Sequence, residues 1–138
     1  MTNDELYEFI AAHKLAVIST ATPGGKPQAA LVGIAVTPAF EIIFDTLRTT
    51  RKSRNIAANP AVAFVIGTTS EVSVQYEGEV FEPAGAALDE YKAVYFRQFP
   101  DGPERQSWPG IVYYVVRPRW IRYSDYDARP PRIEHVEF

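Results

Sequence analysis

At 138 residues the chain has the length of one ordinary domain, and a composition 46% hydrophobic and 13% aromatic excludes a disordered polymer. It has no cysteine, which excludes a disulfide framework and thiolate metal sites, and two histidines, His13 and His135, are too few and too scattered for a metal centre. A net charge of −3 argues against a general nucleic-acid partner, and no apolar run approaches the roughly 20 residues of a membrane span. The acidic start, Met-Thr-Asn-Asp-Glu, lacks the basic region of a signal peptide, so a cytoplasmic location with no membrane partner is the expectation.

The chain opens with a helix. Thr2 is its N-cap and Glu5, three residues on, has capping-box spacing; Leu6, Phe9, Ile10 and His13 then share one face. "LAVISTA" and "QAALVGIAVT" are β-rich runs joined by the turn "TPGGKP", and "FEIIFDT" is a third strand after Pro38-Ala39. Short linkers predict that these three strands form an antiparallel meander. After a short helix, Arg51 to Ala58, come a buried strand, "AVAFVIG", and a long alternating one, "EVSVQYEGEVFE", with Gly78 at a bulge or bend. "AGAALDEYKAVYFRQF" has helical spacing, and "PDGPERQSWPG" is a polar loop. Two last strands, "IVYYVVRP" and "RWIRYSDY", are expected to meet at Arg117-Pro118, and the proline-containing end leaves little room for regular structure. Six or seven strands with short connections and few helices predict one mainly β domain over residues 1–138, a closed or nearly closed antiparallel barrel with peripheral helices.

The short helix carries its charges at the wrong end. Arg48, Arg51, Lys52 and Arg54 crowd an N-terminus whose partial positive charge favours acids, and no acid lies between Asp45 and Glu71. A phosphate suits the place. Unpaired backbone N–H groups at the helix start, the hydroxyls of Thr46, Thr49 and Thr50, and the cations Arg51 and Lys52 could all meet its oxygens. Thr49 or Thr50 serves as N-cap, and Arg54, one turn further in, is expected to face solvent. The bland alternative is a solvated basic turn balanced by acids elsewhere. The glycine pattern of nucleotide and dinucleotide loops is absent.

"FDTLRTTRK", residues 44 to 52, resembles the phosphate-binding segment of the pyridoxamine 5′-phosphate oxidase family, matching at Phe44, Thr46, Thr50, Arg51 and Lys52 and, beyond the helix, at Asn59-Pro60. "GKPQAALVGIAV", "AVAFVIG", "YFRQFPDG" and "YYVVRPRWIRYSD" extend the resemblance over roughly residues 12 to 125. It implies an FMN-binding split barrel that forms a homodimer with the cofactor at the subunit interface. By the same resemblance Arg51 and Lys52 hold the FMN phosphate, with Thr50 and the backbone near Thr49. Thr46 touches the ribityl chain or ring edge, and Leu31, Val32 and Gly33, within the stretch from Ala30 to Ile34, run beside the flavin ring. Tyr123 registers near a family tryptophan that reaches flavin from the other subunit.

The chain also departs from the oxidase. Ala30 and Ala35 stand where the oxidase has an arginine and a lysine near its substrate, Ser73 stands at a family glutamine, and the C-terminal substrate clamp has no counterpart. Pyridoxamine 5′-phosphate oxidation is therefore not expected to be efficient. Trp108 either stacks on the flavin or anchors its own loop; Trp120, Tyr113 and Tyr114 are read as core or dimer contacts. No Ser-His-Asp or Cys-His arrangement supports a covalent hydrolase, and no catalytic residue is identified. The expected function is FMN-dependent oxidoreduction of an unidentified small molecule. The alternatives are a non-catalytic flavin carrier or sensor, or the same barrel holding a deazaflavin or haem.

Overall fold

A computed structural model describes all 138 residues. Helix α1 (Asn3–Ala11) begins as its capping box predicts: the Glu5 N–H donates to Thr2 Oγ1 at 3.1 Å, and the Thr2 N–H donates to Glu5 Oε2 at 2.6 Å. Leu6 and Ile10 are buried against the barrel. His13 ends that turn with Nδ1 2.7 Å from the Phe9 carbonyl and its ring packed on Phe9.

Strands β1 (Leu15–Ala21) and β2 (Pro27–Gly33) form the first hairpin, with Gly25 at φ 87° in the turn. The second expected strand is interrupted after Gly33 by a bend. β3 (Ala35–Val36) is separated from β2 by Ile34 alone, yet it pairs with β4 (Ile42–Leu47) at the opposite end of the sheet. β4 pairs not with β2 but with β7 (Ile111–Asp125). With β5 (Ala61–Ile66) and β6 (Val72–Phe81), the order is β2-β1-β5-β6-β7-β4-β3. Because its two ends are consecutive in the chain, the sheet must curl until they meet. The bend lies at Gly33-Ile34, where a Cβ on Gly33 would come within 2.8 Å of the Phe99 ring. The run from Gln28 to Thr37 thus pairs antiparallel with both expected neighbours, with β1 before the bend and with β4 after it.

The bulge falls where the sequence placed it, between Glu77 and Gly78 opposite Pro118 and Trp120 of β7. A Cβ on Gly78 would lie 2.3 Å from the Arg117 carbonyl oxygen, so only glycine fits. The bulge also accommodates Pro118, and two expected strands are therefore one strand of 15 residues. Nor is the C-terminus irregular. β8 (Arg132–Glu137) pairs with the second half of β7, from Trp120 to Asp125, on the side that β4 covers along the first half.

Two cores result. The barrel interior holds Ile18, Ile34, Phe44, Phe64, Ile66, Val74, Tyr76 and Tyr114. On the outer face of β4 and β7, helix α3 (Gly85–Gln98) and a 3-10 helix (Gly102–Ser107) cover a smaller cluster that includes Ile43, Tyr95, Tyr113 and Val115. Tyr113 and Tyr114 are thus both buried, on opposite faces of one strand, while Trp120 is half-buried.

Candidate functional site

Helix α2 (Arg51–Ala58) leaves β4 through a tight turn that its threonines build. Thr50 is the N-cap: its Oγ1 accepts the Ser53 N–H at 3.3 Å and donates to the Leu47 carbonyl at 2.9 Å. Its single proton being spent on Leu47, it accepts from Thr46 Oγ1, 3.1 Å away. The Thr46 and Thr50 hydroxyls therefore hold the turn together. The Thr49 hydroxyl is exposed and makes no hydrogen bond within the chain. The N–H groups of Arg51 and Lys52 stand in the first helical turn, where no intrahelical acceptor exists.

The buried face of α2 joins two polar residues, Ser53 and Asn55, to Ile56, which packs in the barrel core. Ser53 Oγ lies 3.1 Å from Tyr114 Oη, and Asn55 Nδ2 donates to Thr20 Oγ1 at 3.0 Å and to Gln28 Oε1 at 2.9 Å. The Ser53 contact ties the helix to β7, and the Asn55 bonds dock it against β1 and β2. Between them lies a cleft of about 550 Å³, lined on one wall by Ile18, Thr20 and Gln28 to Ala30, and on the other by Thr49 to Lys52 and Arg54. Its size lies within the usual range for small-molecule sites, roughly 300–1,000 Å³.

The cleft contains cations and no acid. Arg48 turns away to Glu82 at 2.7 Å, whereas Arg51, Lys52 and Arg54 enter no ion pair. Arg54 is exposed, as expected, and it also lines the cleft, which runs along the flank of the helix as far as Gln28. Ala30 lines the cleft, but the residues that follow it on β2 do not: Leu31 points outward and is 65% exposed, Val32 is buried in the barrel, and Gly33 abuts Phe99. Trp108 is exposed at the end of the 3-10 helix and is not part of the cleft lining. Sequence reasoning missed Thr20, Gln28 and Asn55. The inward alternation Ala16-Ile18-Thr20 was the available signal for the first.

A second polar cluster sits on the other face of β4. Asp45 accepts from Tyr95 Oη at 3.1 Å and from Arg105 Nε at 3.2 Å, and Arg105 also reaches Asp101 at 3.0 Å. Burial first, then the Asp45 charge, pushes the Tyr95 hydroxyl pKa up. The cluster ties the 3-10 helix to β4, and just beyond that helix the Gly110 carbonyl accepts the Arg48 N–H at 2.8 Å. Two anchors therefore fix the β4–α2 turn, one on each face of β4.

The family model "Pyridoxamine 5′-phosphate oxidase" matches residues 2–125. A pyridoxine/pyridoxamine 5′-phosphate oxidase of Rubrobacter xylanophilus is 36% identical over 93 residues, which cover 67% of this chain and 41% of that longer protein. Among solved structures, a haem-binding protein from Mycobacterium smegmatis superposes with a TM-score of 0.84 at 18% identity, over 99% of this chain and 58% of that one. HutZ, the haem storage protein of Vibrio cholerae, gives 0.75 at 12% identity, over 84% and 89% of the two chains. These structures share the fold. With that family model matched over nearly its whole length, the chain belongs to the pyridoxamine 5′-phosphate oxidase family.

Proposed function

We propose that this protein binds FMN in the cleft between α2 and β2 and serves as an oxidoreductase for a small molecule. The observation that carries this reading is the meeting of Arg51 and Lys52 with the first-turn N–H groups of α2 in a cleft without a carboxylate. A phosphate dianion would satisfy all of these groups together. Bound FMN would supply the redox chemistry. The chain's part is to hold the phosphate and orient the flavin beside β2, and no protein nucleophile is needed.

Pyridoxamine 5′-phosphate is a poor candidate substrate. Ala30 lines the cleft and Ala35 is buried, so neither position offers a cation to a substrate phosphate. Haem is favoured by the names of two structural neighbours, but neither histidine lines the cleft. His13 is held by the Phe9 carbonyl, and His135 lies on β8, paired opposite Arg122.

A homodimer completes the reading. Leu31, Val17 and Val65 are register partners across β2, β1 and β5 on the outer face of the sheet. With Leu15 they form an apolar surface, Leu15 56% and Val65 41% exposed, that a second copy would cover. The test is the visible spectrum of freshly purified protein together with the mass of the released cofactor. FMN supports the reading, and haem or a deazaflavin replaces it. Anaerobic reduction of the bound flavin by NADH or NADPH then separates an enzyme from a carrier.

A further inference from the structure

Thr20 and Gln28 face each other across β1 and β2 and line the cleft together. One buried residue of the helix behind the opposite wall meets both. Asn55 is only 5% exposed, and its two amide protons go to Thr20 Oγ1 at 3.0 Å and Gln28 Oε1 at 2.9 Å. In this arrangement the Gln28 oxygen faces α2 and its amide nitrogen points away from the helix. That nitrogen, Nε2, has no acceptor within the chain, and neither does the proton of the Thr20 hydroxyl. Beside the three cations, the cleft therefore offers a second, neutral set of donors.

Their position separates them from the phosphate. Asn55 lies four residues beyond Arg51, about 6 Å along the helix. Gln28, bonded to Asn55, is thus displaced by about one turn from the first-turn N–H groups. We infer that Gln28 is a ligand-binding residue whose Nε2 donates to an oxygen of the cofactor's sugar-alcohol chain, and that Asn55 is its positioning residue. The inference rests on the flavin reading above, and it assigns recognition of the unphosphorylated part of the ligand to residues other than Arg51 and Lys52.

The experiment titrates FMN and riboflavin into the full-length protein, stripped of cofactor, by flavin fluorescence. Wild type is compared with Gln28→Ala, Gln28→Glu, Asn55→Ala, the Gln28→Ala/Asn55→Ala pair and Arg51→Ala. Because both flavins carry the same sugar-alcohol chain, Gln28→Ala should weaken both about three- to tenfold, the range of one neutral hydrogen bond. Gln28→Glu keeps the shape and the acceptor for Asn55 but loses the donor, and should weaken riboflavin to the same degree. Asn55→Ala should cost affinity in the wild-type background and almost none once Gln28 is alanine. Wild-type riboflavin affinity in both Gln28 variants would overturn the assignment even if Asn55→Ala fails to fold. An Asn55→Ala loss that is equal with and without Gln28 would overturn the positioning role. If Gln28 matters and Arg51→Ala does not, the phosphate reading falls instead, and Gln28 stands.

Discussion

Thr46 and Thr50 share a hydrogen bond of 3.1 Å that spans the whole turn between β4 and α2. Thr50 is the hub, since its one oxygen also serves Leu47 and Ser53. Thr50→Ala should therefore cost more than an ordinary N-cap, whose loss is worth about 0.5–2 kcal/mol, because it also strands the buried Thr46 hydroxyl. Urea denaturation measures this directly. Thr50→Ser keeps the oxygen and should recover most of the stability. If serine is as damaging as alanine, the hydroxyl is not what holds the turn.

Arg48 and Arg54, both exposed members of the basic cluster, have different surroundings. Arg48 is bonded to Glu82, whereas Arg54 lines the cleft without a partner. Arg54→Ala should weaken FMN binding about threefold or more through lost charge attraction, and less as ionic strength rises. Arg48→Ala should leave the affinity where it was. Calorimetric titration of both variants at low and high salt checks the order, and a larger effect at Arg48 would contradict the geometry.

What the sequence makes legible and what it hides divide along a physical line. The capping box at Thr2, the N-cap at Thr50, the stop at Asn59-Pro60 and the bulge at Gly78 depend on residues close in the chain, and each appears where it was expected. The neighbours of β4, the continuity of β7 past Pro118 and the pairing of β8 depend on how a curled sheet closes, which spacing cannot report. The site divides in the same way. Arg51 and Lys52 are read from one contiguous segment, while Gln28 and Asn55 meet across 27 positions of chain. Leu31 shows what the strand alone cannot report: its side chain points outward and is not part of the cleft lining.

Leu31 nevertheless has a part in the account as a dimer residue. Placing a charge there, Leu31→Asp, should leave the fold intact because the side chain is 65% exposed in the single chain. Sedimentation velocity at micromolar concentration should show a dimer for wild type and a shift to monomer for the variant, and FMN affinity should fall with it. A monomeric wild type with full flavin occupancy would contradict the proposed assembly.

Alkaline pH should destabilise the fold. Tyr91 donates to Glu41 Oε2 at 2.7 Å, and burial followed by that hydrogen bond pushes its pKa from 10.0 up to about 12. The folded state thus favours the neutral phenol. Its contribution is fully present below pH 10 and is lost as the pH rises toward about 12. Tyr95 shifts in the same direction. Denaturant midpoints between pH 9 and 12 should fall for wild type and fall less steeply for Tyr91→Phe, which cannot ionise. Parallel curves would show that Tyr91 does not contribute.

If the cations at the start of α2 receive the 5′-phosphate of FMN, the affinity of FMN against riboflavin, in wild type and Arg51→Ala, will report it. Charge-assisted hydrogen bonds are worth roughly 1.5–3 kcal/mol. Arg51→Ala should thus weaken FMN about ten- to a hundredfold, while riboflavin, already weak, loses little. The apo fold should keep or slightly gain stability, since a cation leaves an unfavourable helix start. Equal binding of the two flavins by wild type, or unchanged FMN affinity in Arg51→Ala, would contradict the account and return the cluster to a solvated basic turn.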